Sequence, residues 1–413
     1  VHQLARPLKD IAIVGGGWAG LSAAVAATGR GHRVTLFEMA PHLGGRARSV
    51  GHDPVLDNGQ HILIGAYRDT LALMRTVGVD LDAALLRRPL RLRYPQHEGL
   101  ALPVGRPLPA FVRGVLANRA WPLAARGRLL WAATGWLLRG FRCAPDLSVS
   151  ALCAGLPLIV RQQLIEPLCV AALNTPAPQA SAQVFLRVLR DALFSGPGSS
   201  DLMLPRQPLS ALMAEPARAW LAQHGARIEC QRRVQSLDEL STFDAVVLAC
   251  TSTEAARLAA PRAPAWAAQA AALRFEPIVT VYLHSPGTRL PAPMVALADE
   301  PAQFVFDLGQ LGHGPDVFAF VISGAAPWVA RGLEETGVQA LAQARRELAW
   351  QTPPTLLRTL AEKRATFACT PGLARPSQHI AAGLVAAGDY VEGPYPATLE
   401  GAVRSGQSAI AGL

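Results

Sequence analysis

Gly15, Gly17 and Gly20 stand in the spacing G-x-G-x-x-G, with Trp18 and Ala19 between the last two, just after the apolar run IAIV and just before LSAAVAAT. Glycine at these places allows a tight turn and lets backbone N–H groups close on a pyrophosphate at the start of a helix. Glu38 follows Gly20 by eighteen residues and ends a second apolar run, RVTLF. A carboxylate there accepts hydrogen bonds from an adenosine ribose and disfavours a 2′-phosphate. Strand, glycine turn, helix, strand and acid in this order predict a dinucleotide site, for NAD or FAD alike. The plainer alternative is a glycine turn that merely packs a helix on a strand.

Two further segments bear on which dinucleotide. PHLGGRARS places Gly44, Gly45 and Arg46 six to eight residues beyond Glu38. Glycines let the backbone pass close to a ligand, and an arginine neutralises pyrophosphate or polarises a flavin ring. With this pair and arginine, the chain resembles the FAD-binding amine oxidase and phytoene desaturase superfamily. Near the C-terminus, AGDYVEGPYPATLEGAVRSG is similar to the superfamily's final motif. The resemblance implies that Gly388 and Asp389 meet the ribitol and pyrophosphate. It also implies that a helix starting near Ala397 and Thr398, and carrying Glu400, Gly401, Ala402 and Ser405, turns its positive end toward the flavin. RRVQSL and FDAVVLACTS look like the adenine-side strands, with Val234 as a backbone contact. More closely still, DNGQHILIGAY (57–67), EPLCVAALNTPAPQASAQVFLRVL (166–189), DLMLPRQPLSAL (201–212), EKRATFACTPG and YPATLEGAVRSG resemble the squalene-associated FAD enzymes, the hydroxysqualene dehydroxylases of hopanoid biosynthesis. That resemblance implies reductive removal of an allylic hydroxyl from a C30 isoprenoid, with reduced FAD as electron source and an external electron donor behind it. The rival expectations are another isoprenoid or carotenoid desaturase, and a catalytically idle flavin-bound partner of terpenoid enzymes at a membrane.

Loss of a hydroxyl as water with hydride delivery needs an acid and a dry tunnel. His61, beside Gln60 and near the second glycine motif, is the first candidate for proton donor; Glu166, in an apolar stretch, is the second. For each, a structural hydrogen-bonding role is the alternative. Asn174 and Thr175 precede Pro176 and read as a helix end. Tyr395 either walls the site or packs. Cys369 lies where amine oxidases attach flavin covalently, but FACTPG lacks the expected surroundings, so non-covalent FAD is expected.

These residues need a scaffold in several pieces. The expected class is α/β: a doubly wound, Rossmann-like FAD-binding domain from residues 1–70, 205–261 and 365–413, with an inserted α+β substrate domain from 71–204 and 262–364. Half of the residues are hydrophobic and 17% are charged, which suits large internal surfaces or a greasy ligand. The net charge of +9 favours anionic partners. No zinc-finger spacing and no interleaved basic and aromatic RNA-binding pattern accompanies it, so nucleic acid is not expected. Six widely spaced cysteines without C-x-x-C predict neither a metal site nor a disulfide framework. The opening VHQLARPLKD lacks the apolar core of a secretory signal, and no run is long enough to span a bilayer. Residues 99–145 hold seven arginines and no acid, interleaved with Phe111, Trp121, Trp131, Trp136 and Phe141. This stretch reads either as an interfacial anchor or as a lid whose arginines face water. The expected location is cytoplasmic, peripheral on the inner face of the cell membrane.

Overall fold

The computed structural model describes residues 8–51 and 54–413, so the reading of the first residues as lacking a signal lies largely outside the described residues. Strand Asp10–Val14 is apolar without alternation, as a strand covered on both faces requires. It pairs in parallel with Arg33–Phe37 on one side and with Ala245–Leu248 on the other. Strand Arg227–Glu229 continues the sheet beyond Arg33–Phe37; Leu384–Ala386 and the antiparallel edge strand His379–Ala381 continue it beyond Ala245–Leu248. One six-stranded sheet therefore gathers N-terminal, middle and C-terminal segments, giving the expected doubly wound α/β class. Ile11 and Ile13 face a core shared with helices Trp18–Gly29 and Leu399–Ala411, while Ala12 and Val14 face a core shared with Ser252–Ala259 and Pro264–Ala271.

The first and last helices meet backbone to backbone. A Cβ on Gly406 would lie 2.3 Å from the Ala19 carbonyl oxygen, so the crossing requires glycine there. Beside it, Ser22 Oγ donates to the Val403 carbonyl at 2.8 Å.

A second, five-stranded antiparallel sheet runs in the order Met294–Ala296, Phe304–Asp307, Val317–Ile322, Phe275–His284, Thr355–Phe367. Its side chains alternate with period two. Val279, Val281, Leu283, Phe318 and Phe320 pack beneath helix Leu333–Glu347 through Ala340 and Ala344, and Tyr282, Phe304, Phe306 and Val321 belong to the other apolar cluster, which also takes in Leu164, Ile165 and Phe185 and, from the first sheet, Ala12 and Val14. The helices Pro107–Ala117, Leu123–Leu138, Glu166–Leu173 and Ala182–Phe194 lie over this second body.

The boundaries between the two bodies differ from the expected ones in two places. Helix Arg68–Thr76 and the chain onward to Leu85 belong to the nucleotide-binding core, because the buried carboxylate of Glu400 accepts from Thr70 N–H at 2.9 Å and from Thr70 Oγ1 at 2.7 Å. Helix Pro264–Ala271 joins the same body; it packs on Ser252–Ala259, and Trp266 Nε1 donates to the Ser377 carbonyl at 2.8 Å.

Candidate functional site

The apolar strand Asp10–Val14 ends in Gly15, whose φ of +110° turns the chain sharply into helix Trp18–Gly29. A Cβ on Gly20 would lie 1.9 Å from the Gly15 carbonyl oxygen, so the third glycine lets the helix fold back onto the turn. Gly17 is the N-cap and offers no side-chain acceptor, which leaves first-turn N–H groups and the positive helix end to a ligand. The second glycine turn docks against the first. Gly44 N–H donates to the Gly16 carbonyl at 2.8 Å, Gly17 and Gly44 form a β-bridge, and a Cβ on Gly45 would press on Gly17 Cα at 3.1 Å. Trp18 fastens the pair from beneath, its buried Nε1 donating to the Ala47 carbonyl at 3.2 Å.

Glu38 comes to the edge of this cradle. Gly16 N–H and Ala40 N–H each donate to one of its oxygens at 2.7 Å. Each oxygen keeps a second lone pair for a ribose hydroxyl. Val234 is buried in the loop after strand Arg227–Glu229, and its carbonyl accepts from Arg257 at 3.0 Å.

At the other end the second motif meets the last. Arg46 Nη2 lies 2.6 Å from Asp389 Oδ1, and Arg46 Nη1 donates to the Ala365 carbonyl at 2.6 Å. Arg375 holds the same loop from behind through the carbonyls of Asp389 and Tyr395, and Ser405 Oγ accepts from Gly388 N–H at 3.0 Å. Helix Leu399–Ala411 begins with Thr398 as N-cap, its hydroxyl accepting from Gly401 N–H at 3.1 Å. Ala397, just before the cap, is half-buried.

A buried hydroxyl that sequence reasoning did not single out completes this end. Tyr390 is within electrostatic reach of Cys250, Asp389 and Arg46, its O–H has no hydrogen-bond partner, and burial pushes its pKa well above the usual tyrosine value. A cradle closed by glycines, an open helix N-terminus, a ribose-side carboxylate and an orphaned hydroxyl beside an Arg–Asp pair fit a flavin dinucleotide. Cys369 is buried, and burial first pushes its thiol up to about 12. A groove of about 500 Å³ backs Gly388 and Asp389 along the outer side of the C-terminal helix, with Arg375, Arg404 and Ser405 in its wall. No residue of the two glycine turns lines it.

The catalytic candidates separate. His61 is half-buried and near Arg46; its Nδ1 lies 2.9 Å from the Gly59 carbonyl, which assigns the proton to Nδ1 and leaves Nε2 as an acceptor. Burial first, and the Arg46 charge in addition, lower its pKa below the usual histidine value. Gln60 Nε2 is buried beside the Tyr282 hydroxyl. Glu166 stands exposed in the first turn of helix Glu166–Leu173, where its charge complements the helix end. Asp57, which opens the same segment as His61, is buried and raised to about 6, first by burial; it accepts from Ser49 Oγ and Leu209 N–H and acts as a strut. Asn174 ends its helix at a φ of +48° and ties it to the second sheet through Thr366 Oγ1 and Gly324 N–H, while Thr175 Oγ1 accepts from Cys369 N–H. Tyr395 is held by Arg187 and Arg404, which both lie over its ring and donate to its hydroxyl.

Residues 13–77 match the model of an NAD(P)-binding Rossmann-like domain. Over 97% of this chain and 97% of theirs, curated hydroxysqualene dehydroxylases of Sinorhizobium fredii and Rhodopseudomonas palustris are 28% and 27% identical to it. Among solved structures, an oxidoreductase of Methanosarcina mazei superposes with a TM-score of 0.75 at 14% identity, over 97% of this chain and all of that one.

Proposed function

We propose that this chain, a member of the flavin amine oxidase and phytoene desaturase superfamily, uses FAD to remove the allylic hydroxyl of hydroxysqualene reductively, giving squalene. The observation that carries this reading is the likeness to hydroxysqualene dehydroxylases from end to end, insertion included. The site supports it. The backbone at Gly15, Gly17, Trp18, Ala19 and Gly20 would hold the pyrophosphate, Glu38 and Val234 the adenosine end, and Gly44, Gly45, Arg46, Gly388, Asp389, Ala397 and Thr398 the flavin end. Bound and reduced, FAD supplies a hydride equivalent. The chain must then keep water out, align a flexible polyene and bring a proton to the departing oxygen. Phe304, Phe306 and Val321 offer an apolar sheet face for the polyene. His61 Nε2, within electrostatic reach of Arg46, is the proton carrier of this reading; a depressed pKa makes its rare imidazolium a strong donor.

The same lowered pKa favours a second reading. A neutral imidazole with a free Nε2 suits a base, as in an isoprenoid desaturase in which oxidised FAD takes the hydride. Anaerobic mixing of the reduced holoenzyme with hydroxysqualene separates the two. Flavin reoxidation matched one to one by squalene is expected; no reoxidation, with flavin reduction by a phytoene-like substrate instead, would replace dehydroxylation with desaturation.

A membrane surface is the proposed source of so apolar a substrate, with the enzyme peripheral on the inner face of the cell membrane. Helix Leu123–Leu138 buries Ala125, Leu129 and Trp136, yet still leaves Leu123, Trp131 and Leu138 exposed at 77%, 77% and 82%. A lid that hid its apolar side and showed only arginines to water would not leave such a stripe. No helix among the described residues is long and apolar enough to cross a bilayer.

A further inference from the structure

One row of side chains across the second sheet carries a single hydroxyl among apolar neighbours. In an antiparallel sheet, residues directly opposite one another share a face. Thr280 stands opposite Val321 on one side and Leu360 on the other, and Val321 stands opposite Phe304. The row Phe304, Val321, Thr280, Leu360 thus lies on one face of the sheet with a single polar side-chain atom in it. Thr280 is 1% exposed, and its Oγ1 has no hydrogen-bond partner.

Segment 57–61 closes on that hydroxyl. Tyr282, the next residue on the same face of the strand, donates its O–H to the Asp57 carbonyl at 2.7 Å and pins the segment to the sheet. A Cβ on Gly59 would come 3.8 Å from Thr280 Oγ1, so the backbone of this turn lies against the hydroxyl. Gln60 brings a buried amide, its Nε2 directed at the Tyr282 hydroxyl and keeping a second N–H. His61 follows, with Nδ1 committed to Gly59 and Nε2 free. A buried hydroxyl without a partner costs stability at a position that valine would fill equally well, and the Gln60 amide near it keeps one N–H beyond the one directed at Tyr282. Their use lies with a ligand that brings both an oxygen and a hydroxyl proton.

We propose that Thr280 and Gln60 receive the oxygen of the substrate alcohol: Gln60 Nε2 donates to it, and its O–H donates to Thr280 Oγ1. Both are positioning residues. They set the carbinol carbon at the end of the apolar row beside His61 and discriminate substrate from product, because a hydrocarbon product offers neither hydrogen bond and is released. This rests on the dehydroxylation reading above.

The test uses the oxidised FAD-loaded protein, in which binding is read without turnover by quenching of tryptophan and flavin fluorescence, with hydroxysqualene and squalene in matched detergent micelles as probes. Wild type is expected to bind the alcohol more tightly than the hydrocarbon. Thr280→Val should weaken the alcohol about tenfold, leave squalene unchanged and hold or raise Tm, since it removes an unpaired buried hydroxyl. Thr280→Ser should restore the preference. An unchanged preference in Thr280→Val, or equal loss for both probes, would overturn the assignment while leaving dehydroxylation standing. A wild-type holoenzyme that binds neither probe and does not convert the alcohol would overturn both together.

Discussion

His61 shows how much a single residue's surroundings alter what its type suggests. A histidine near a flavin motif reads as a proton donor, and only the fold shows Nδ1 bonded to Gly59 and a ring whose charged form is opposed by burial and then by Arg46. The pKa therefore lies below 6.5, and the sign of the pH dependence separates its roles. As a donor in dehydroxylation, His61 should make single-turnover flavin oxidation faster as pH falls through the lowered value. As a base in desaturation, it should make flavin reduction slower over the same range. His61→Ala is expected to lose about a hundredfold in rate together with that pH limb; an unchanged rate and profile would take His61 out of the mechanism. Stability changes in the opposite sense to the donor profile. Below 6.5 the unfolded chain binds a proton that the folded ring resists, so wild type should lose stability as pH falls there, and His61→Ala should lose less.

At the scale of elements, the site depends on where the first helix begins, and that depends on how the first and last helices cross. Gly406→Ala puts a methyl group 2.3 Å from the Ala19 carbonyl, against backbone that has no rotamer to yield. A destabilisation of about 1–3 kcal/mol is expected, with weaker FAD retention because Ala19 lies in the first helical turn proposed to hold the pyrophosphate. Gly412→Ala is the control: its nearest neighbour would be Ser408 O at 3.7 Å, and its φ of −86° suits alanine. Thermal unfolding and flavin released on gel filtration check both; equal behaviour of the two variants would remove the crossing from the account. The βαβ unit and the C-terminal helix were legible in the sequence because unbroken apolar strands, glycine spacing and Glu38 are local signals. The assignment of residues 71–85 was not legible, since the tie that draws them in is Glu400, more than three hundred residues away. Nor did Thr280 or Tyr390 announce itself. A single threonine in a strand has no periodic signature, and an orphaned polar atom exists only once its neighbours are placed.

The whole molecule sets a flavin cradle between two sheets and turns an arginine-rich, partly apolar helical surface outward. Val104, Leu116, Leu123, Trp131 and Leu138 are exposed there among Arg106, Arg113, Arg119, Arg128, Arg139 and Arg142, and residues 99–145 contain no acid to offset them. Arginine near an anionic lipid surface contributes about 1 kcal/mol each, and a tryptophan with leucines adds burial at the acyl boundary. The two contributions separate experimentally. The holoenzyme should float with vesicles containing acidic phospholipid, float less as salt is raised, and stay in the soluble fraction with zwitterionic vesicles. Trp131→Glu combined with Leu138→Glu should abolish flotation even at low salt, while leaving flavin content and turnover of detergent-dispersed hydroxysqualene near wild type, because both side chains point away from the buried core of the helix. If the wild-type protein stays soluble with acidic vesicles, the outward stripe has another use, and the substrate must reach the site by a route other than direct uptake from a bilayer.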